Sequence, residues 1–208
     1  DIELSYRDYT YLHCEFDFSG LPKIENSFIY IGVNSLKTNA KDIEKIKIPE
    51  KGYIIVPEVF YKLGNISFDG SFTGFTTDFV TYGKIITNLG NIRTDISLRP
   101  EESNRYRIKG LLTGSDVDLG ELTGKTELLG KLSMKTNVDG FAYSLKKFAG
   151  NLTGKIDSIE LNKYEYRNIA LNGFFTEKTW DGSVNITDEN IKLDLLGLLS
   201  FKDKLPEF

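Results

Sequence analysis

The stretch Ile66-Ser-Phe68-Asp-Gly70-Ser-Phe72-Thr-Gly74 contains the two patterns that decide the fold. Its apolar and polar residues alternate, and it ends in a five-residue phrase: Gly, any residue, Phe or Leu, Thr, Gly. The phrase returns at 110–114 and 150–154, so three copies stand 40 residues apart, and a fourth copy occupies 120–124. A fixed period of this size predicts a stacked array that repeats one face along its length. The glycines themselves are expected at bends or bulges of the strands.

Alternation with period two continues through much of the chain and predicts antiparallel strands with one polar and one apolar face. From 66 to Ile156 the apolar side is expected on the even-numbered residues, and later it changes parity across loops of odd length. The fold class is therefore all-β. In a closed sandwich the apolar face is covered by a second sheet, whereas in an elongated or half-folded sheet it lines a continuous trough.

Two short helices are predicted before the repeats, near residues 40–46 and 57–63. Asn39 is a good N-cap for the first helix, and Pro57 stands at a first-turn position of the second. The chain divides into a module at 1–64 with a short helical insertion and repeats of about 40 residues at 65–208. We expect all of 1–208 to be a single segment of a longer array.

Charge disfavours nucleic acid as a partner. The chain has 208 residues, with 26 Lys and Arg against 30 Asp and Glu and a net charge of −4. The basic residues are scattered singly along the sequence and form no stripe in it. The sequence pI is near 5.2, whereas nucleic-acid-binding domains carry a basic field.

The reactive residues are too few for an enzyme or a metal site. Cys14 is the only cysteine, which excludes an internal disulfide and a thiolate zinc site. His13, the only histidine, lies on the polar side of a predicted strand without partner bases, which disfavours a Ser-His-Asp or Cys-His site. On a strand these neighbours point to opposite faces, so we expect a surface histidine and a buried cysteine. Asp116 and Asp118 supply far fewer oxygens than the roughly six to eight that calcium requires. The sequence predicts no catalytic residue, no metal and no cofactor.

Residues 63–96, which begin Leu63-Gly-Asn-Ile-Ser-Phe-Asp-Gly70, carry a resemblance to a known family. Together with Leu128-Leu-Gly-Lys-Leu-Ser-Met134 and Val138-Asp-Gly140, they are similar to the repeat region of the TamB family (translocation and assembly module subunit TamB). This family belongs to the AsmA-like superfamily of bridge-like lipid transfer proteins. The similarity covers most of the chain and rests on the pattern as a whole.

The resemblance implies a β-taco, an elongated antiparallel sheet curled along its length into a groove with an apolar interior. Family members are anchored in the inner membrane and cross the periplasm. They are held to move phospholipid between the two membranes and to assist outer-membrane protein assembly with an Omp85-type barrel. The family brings no catalytic residues.

With this resemblance, the apolar residues become candidates for lining a lipid groove. They are Ile66, Phe68, Phe72, Ile92, Ile96, Leu98, Tyr106, Ile108, Leu112, Leu132, Met134, Val138, Phe148, Leu152, Ile156, Leu171, Phe175, Val184, Ile186 and Leu193. Two other functions remain open: a scaffold that accepts client strands at the sheet edge, and a structural stalk whose trough is packed shut. We also expect unpaired edge strands to allow dimerisation of this segment.

Overall fold

A computed structural model of the protein describes residues 1–7, 9–20, 27–48, 52–75, 77–101, 105–144, 147–176 and 178–200. Strands account for most of them. The strands are β1 (Ile2–Tyr6), β2 (Thr10–Ser19), β3 (Phe28–Asn39), β4 (Lys47–Ile48), β5 (Gly52–Tyr53), β6 (Asn65–Gly74), β7 (Phe79–Thr87), β8 (Gly90–Glu101), β9 (Arg105–Asp118), β10 (Leu129–Ser144), β11 (Lys147–Leu161), β12 (Tyr164–Phe175), β13 (Thr179–Thr187) and β14 (Lys192–Ser200). The helices are α1 (Ala40–Ile43), α2 (Glu58–Lys62) and α3 (Leu119–Thr123).

Twelve of these strands form one antiparallel sheet, ordered β1-β2-β3-β6-β7-β8-β9-β10-β11-β12-β13-β14. Each strand pairs with the next one along the chain, and only the small β4–β5 hairpin and the helices lie outside this meander. Each strand mainly contacts its hydrogen-bonded neighbours. The prediction of an all-β, elongated and curled antiparallel sheet is confirmed.

The sheet exposes more surface to solvent than a compact domain of the same mass would. The accessible surface is 13960 Å², against about 9,800 Å² expected for a compact protein of this mass. Along β8 every second residue from Ile92 to Ile96 is the less exposed one, so the two faces are not equivalent. We call the apolar face of the curled sheet the inner face and the opposite one the outer face.

Helices α1 and α2 confirm the two predicted helices, although both are shorter than 40–46 and 57–63. The Asn39 side chain caps α1 by accepting a hydrogen bond from the Asp42 backbone N–H at 3.0 Å. Pro57 sits at the N-cap of α2 without a side-chain hydrogen bond. Between the two helices the chain forms the β4–β5 hairpin.

Helix α3 was not predicted, and it contains the fourth copy of the repeated phrase. The Asp118 side chain accepts a hydrogen bond from the Glu121 backbone N–H at 2.9 Å, and Gly124 ends the helix in the left-handed conformation at φ 74°. These are ordinary helix start and stop signals. Since Leu122 lies in this helix, it does not belong to the strand surface of the other copies.

The other three copies of the phrase lie on β6, β9 and β11. The first two are three strands apart and the next two are two strands apart in the sheet order. Equal spacing in sequence therefore corresponds to unequal spacing in the sheet, because β6 to β9 are shorter on average than β9 to β11.

The three helices stand at the same end of the strands, where β3 and β9 finish and β6 and β10 begin. The Thr10 hydroxyl donates to the Asp42 carboxylate at 2.7 Å and lies 3.0 Å from the Thr38 hydroxyl. The Lys62 ammonium donates to the Glu121 carbonyl at 3.0 Å. These contacts fix the helical insertion to one rim of the sheet.

Candidate binding face

Cross-strand pairing sorts the inner face into rows that run perpendicular to the strands. Directly paired residues share a face, so a row can be followed from strand to strand. Row 1 contains Leu36, Phe68, Ile85, Ile92, Gly114, Met134, Ile156, Ile169, Ile186 and Leu193. Row 2 contains Val33, Gly70, Gly83, Thr94, Leu112, Thr136, Gly154, Leu171, Val184 and Leu195.

Two further rows follow in the same way. Row 3 contains Ile31, Phe72, Thr81, Ile96, Gly110, Val138, Leu152, Gly173, Gly182 and Gly197. Row 4 contains Ile29, Gly74, Phe79, Leu98, Ile108, Gly140, Gly150, Phe175, Trp180 and Leu199. All four rows cross ten strands, from β3 to β14.

These rows contain no charged residue. Their polar side chains are Thr81, Thr94, Thr136 and the indole N–H of Trp180. Thr81 donates to the Ser71 carbonyl at 3.1 Å, whereas Thr136 Oγ1 and Trp180 Nε1 are buried without a hydrogen-bond partner among the described residues. A surface of this size without a single charge is unusual, because charged residues normally cover whatever faces water.

All twenty predicted groove residues lie on the inner face. Sixteen of them belong to the four rows. Ile66 and Leu132 continue the face beyond row 1, where Ile66 pairs with Thr38, and Tyr106 and Phe148 continue it beyond row 4. The pairing therefore brings together residues that are up to 127 positions apart in the chain, from Ile66 to Leu193.

Sequence reasoning missed the inner residues of β7. The prediction of even parity from 66 to Ile156 is wrong for this strand, because it pairs Phe68 with Ile85 and Gly70 with Gly83. Its inward residues are therefore odd-numbered. Thr81 and Gly83 weaken the apolar signal on that side, while Val80, Tyr82 and Ile86 make the outward side look apolar.

The inner face also extends over β1 to β3, which the predicted site left out. Leu12 pairs with Leu36 in row 1, and Phe16 pairs with Ile31 in row 3. The alternation of β2 was visible in the sequence. A register shift between Val33 and Leu36 changes the parity within β3, so no single alternation connects this strand with the rest.

Glycines and aromatic rings share the inner face in a regular way. Gly140 and Gly150 are directly paired, and a Cβ added to either would lie 2.8 Å from the Phe148 ring. A Cβ on Gly140 would also come within 2.5 Å of the Ala149 carbonyl oxygen. Phe68 covers the Gly70–Gly83 pair in the same manner. Glycine is needed at these positions because the curled sheet and a covering ring leave no room for a side chain.

The inner face has the dimensions of a shallow trough. Ten strands at the usual spacing span about 43 Å, and the four rows extend about 20 Å along the strands. Most of its side chains are half-buried, and the fully buried ones, such as Ile169 and Trp180, are few. Each large apolar side chain left in water forfeits up to about 1.5–3 kcal/mol, so an apolar occupant of the trough would be stabilising.

A polar cluster closes the rim where β12 begins and β13 turns into β14. The buried Asp188 carboxylate accepts hydrogen bonds from the Tyr164 hydroxyl at 2.7 Å and from the backbone N–H groups of Asn190 and Arg167 at 3.0 Å each. Chiefly the Tyr164 hydrogen bond, and then the one from Asn190, lower the pKa of Asp188 below its ordinary value. These groups are hydrogen-bonded to one another, so the role of the cluster is to hold the start of β12 to the turn between β13 and β14.

The residues considered for chemistry are dispersed. Cys14 is buried on the inner face, and the half-buried His13 lies 3.2 Å from an Asp1 carboxylate oxygen on the outer face. Asp116 sits at a bulge with φ 51°, and Asp118 caps α3. Among the described residues no three His, Cys, Asp or Glu side chains come close enough to hold a metal ion.

Comparisons with known proteins leave the family open. No protein-family model, no curated protein and no solved structure matches this chain. Within the part of the chain that is described, no helix has both the length and the apolar character needed to cross a membrane.

Proposed function

We propose that the inner face is a segment of a lipid-transfer conduit that carries the acyl chains of phospholipids. The single observation that supports this function most strongly is the set of four rows without a charged residue, half-exposed across ten strands. A self-packed stalk would bury such side chains against one another. Half-exposed apolar side chains instead favour an apolar ligand.

The size of the trough agrees with this cargo. Half of a bilayer's hydrocarbon core, the length that one acyl chain occupies, is about 15 Å, and the rows extend about 20 Å along the strands. Acyl chains then lie along the strands, with the headgroups at the rim where the strands end.

The wider setting rests on the resemblance to the TamB family. Under this proposal the segment belongs to a longer groove in the periplasm of a protein anchored in the inner membrane. Phospholipid is the ligand. An Omp85-type barrel is engaged by regions outside this segment, and assembly of outer-membrane proteins is a linked role. The proposal includes no enzymatic step.

The proposal is tested with two lysine substitutions at neighbouring positions of β9. Leu112 lies on the inner face between Thr94 and Thr136, whereas Leu111 lies on the outer face between Asp95 and Asn137. Leu112→Lys places a charge in the trough, and Leu111→Lys is the matched control. Bound lipid is measured by mass spectrometry of the purified protein, and transfer is measured as movement of a fluorescent phospholipid between vesicles.

We expect the parent protein and Leu111→Lys to carry lipid and accelerate transfer, and Leu112→Lys to lose both. Both variants are checked for folding by circular dichroism, since a charge in a half-buried row also destabilises the sheet. A parent protein that carries no lipid and transfers none contradicts the proposal. Equal loss in both folded variants contradicts it as well.

A second candidate function, a scaffold for client strands, is favoured by β14. This edge strand has no second partner among the described residues, and Leu196 and Leu198 expose 85% and 57% of their surface on its outer face. A strand apolar on both faces is typical of the interior of a layered fold, so β14 is suited to pair with an added strand.

Crosslinking distinguishes this candidate from self-association. A photoreactive residue at Leu196 is expected to capture unfolded barrel segments if β14 is a client site, and a second copy of the chain if the edge forms a dimer. Capture of neither eliminates the scaffold function. The Leu198→Lys variant serves as the control that blocks the edge through its charge.

A further inference from the structure

The cations that are scattered in the sequence meet on the outer face of the folded sheet. Lys84 on β7 pairs directly with Arg93 on β8, and Arg93 pairs with Thr113 on β9. The same outer row continues to Lys135 on β10 and Lys155 on β11. The sequence-based view that basic residues form no stripe therefore does not hold in the folded protein.

This outer row places Lys84 directly opposite Arg93 and Lys135 directly opposite Lys155. Among the described residues, Lys84, Arg93 and Lys135 have no carboxylate within ion-pair distance, whereas Lys155 pairs with Asp157 at 3.4 Å. Asp69 pairs with Lys84 across the β6–β7 ladder without forming an ion pair. Like charges at directly opposed positions of a sheet are destabilising. A bound anion would remove this repulsion.

A shallow pocket of about 200 Å³ lies at the Lys84–Arg93 end of this row. It is lined by Lys84, Asn91, Ile92, Arg93, Thr113 and Ser115. The polar side chains among them offer an ammonium, a guanidinium, an amide and two hydroxyl groups, and none of the six residues has a carboxylate; Ile92 is the one apolar member. The pairing explains this composition, because Asn91 faces Ser115 on one side of the Arg93–Thr113 pair. Groups of this kind are hydrogen-bond donors to oxyanions, and the guanidinium matches phosphate geometry in a bidentate manner.

From this arrangement we infer that the outer face of β7 to β9 binds a phosphate group. Arg93 and Lys84 supply the charge, while Asn91, Thr113 and Ser115 donate neutral hydrogen bonds. The bound group neutralises the opposed cations, which accounts for their tolerated juxtaposition. The overall charge of −4 makes this row a local exception on an acidic protein. The site lies on the face opposite the trough and does not depend on the lipid-conduit proposal.

The test titrates the full chain with inorganic phosphate and follows the signals of Asn91, Arg93 and Ser115 by nuclear magnetic resonance. The double variant Lys84→Gln/Arg93→Gln removes the site. The matched control Arg99→Gln/Lys155→Gln removes two cations of the same face, which pair with Asp78 and Asp157. Both variants are expected to fold, and the first is expected to melt no lower than the parent, because it removes a repulsive pair.

We expect saturable shifts in the parent and the control, and affinity weakened about tenfold or more in the double variant. The phosphate group could belong to a lipid headgroup or to a soluble phosphate, and sedimentation with vesicles of phosphatidylglycerol and of phosphatidylcholine distinguishes the two. Sedimentation with the anionic vesicles alone, lost in the double variant, assigns the site to a lipid headgroup. Binding of inorganic phosphate without sedimentation assigns it to soluble phosphate.

The inference is overturned if the shifts do not saturate, if they persist in the double variant, or if the control loses them equally. Lipid held in the trough is measured on the same samples. Since neither variant touches the inner face, loss of phosphate binding with unchanged lipid content separates a failure of this site from a failure of the conduit.

Discussion

The inner and outer faces belong to the same strands, yet their side chains differ in charge and polarity. The inner face holds four rows without a charge, and its side chains are mostly half-buried. The outer face carries the cation row of Lys84, Arg93, Lys135 and Lys155, together with carboxylates such as Asp139. An ordinary open antiparallel sheet hides its apolar face beneath another layer. Here the described residues supply no such layer, which is why we propose the apolar face as the binding surface.

The difference between the faces is greatest at the large side chains. Trp180 is 6% exposed in row 4, whereas Leu196 on the outer face is 85% exposed. Trp180→Ala should lower the free energy of unfolding by about 3–5 kcal/mol, as for other buried aromatic side chains. Leu196→Ala should change it by less than about 0.5 kcal/mol. Denaturant unfolding measures both. Equal losses would mean that the two faces are equally packed.

Glycines sharpen the comparison within the inner face. A Cβ on Gly140 would lie 2.5 Å from the Ala149 carbonyl oxygen, whereas a Cβ on Gly114 would meet only side chains, Val117 at 3.2 Å and Met134 at 3.8 Å. Gly140→Ala should therefore cost about 1–3 kcal/mol of overpacking, and Gly114→Ala much less. If thermal melts show both variants to be equally stable, glycines are not what allows the sheet to curl.

At Thr136 a substitution is expected to change the stability by a smaller amount, and to increase it. Its hydroxyl oxygen is buried on the inner face and has no hydrogen-bond partner within the described part of the chain, and valine has nearly the same shape. Thr136→Val should raise the free energy of unfolding by about 1 kcal/mol, because it removes an unsatisfied polar group. Thr81→Val is the control, since it loses the hydrogen bond to the Ser71 carbonyl. If Thr81→Val raised the free energy of unfolding as much as Thr136→Val does, the missing hydrogen bond of Thr136 would not be the cause of the gain.

The rim between the faces should respond to pH. Because the folded state lowers the pKa of Asp188, the carboxylate stabilises the fold above the ordinary Asp pKa of 3.8. This stabilisation is lost as the pH falls through the lower, folded-state value. Asp188→Asn should melt below the parent at neutral pH, and the difference should shrink in acid. A difference that is constant down to the acid limit would show that the carboxylate charge is irrelevant.

The sequence predicted the sheet where the alternation was uninterrupted. In β8 to β11 the apolar side could be followed from Ile92 to Ile156, and the structure pairs these residues row by row. The apolar side changes to odd parity at Leu171, as predicted, but the predicted loop of odd length is wrong: the turn at 162–163 has two residues, and in an antiparallel pair an even number of loop residues is what changes the parity. Strand order is simple, because each strand pairs with its neighbour in sequence.

The remaining features depend on pairing, which one sequence does not reveal. Helix α3 had its signals at Asp118 and Gly124, but the repeated phrase favoured a strand. The inward residues of β7 were hidden by Gly83. The cation row could not be predicted either, because it depends on strand pairing. Lys84 and Lys155 come to lie in one row only through the registers of four successive strand pairs.

The central claim, that acyl chains lie on the inner face, is tested most directly by a photocrosslinking scan along β10. A photoreactive residue is placed in turn at 134, 135, 136, 137 and 138, and lipid adducts are quantified in cells and in the purified protein. Met134, Thr136 and Val138 face inward, and Lys135 and Asn137 face outward. The account predicts adducts at the three inward positions and none at the two outward positions. Adducts without this alternation, or none at any position, would contradict it.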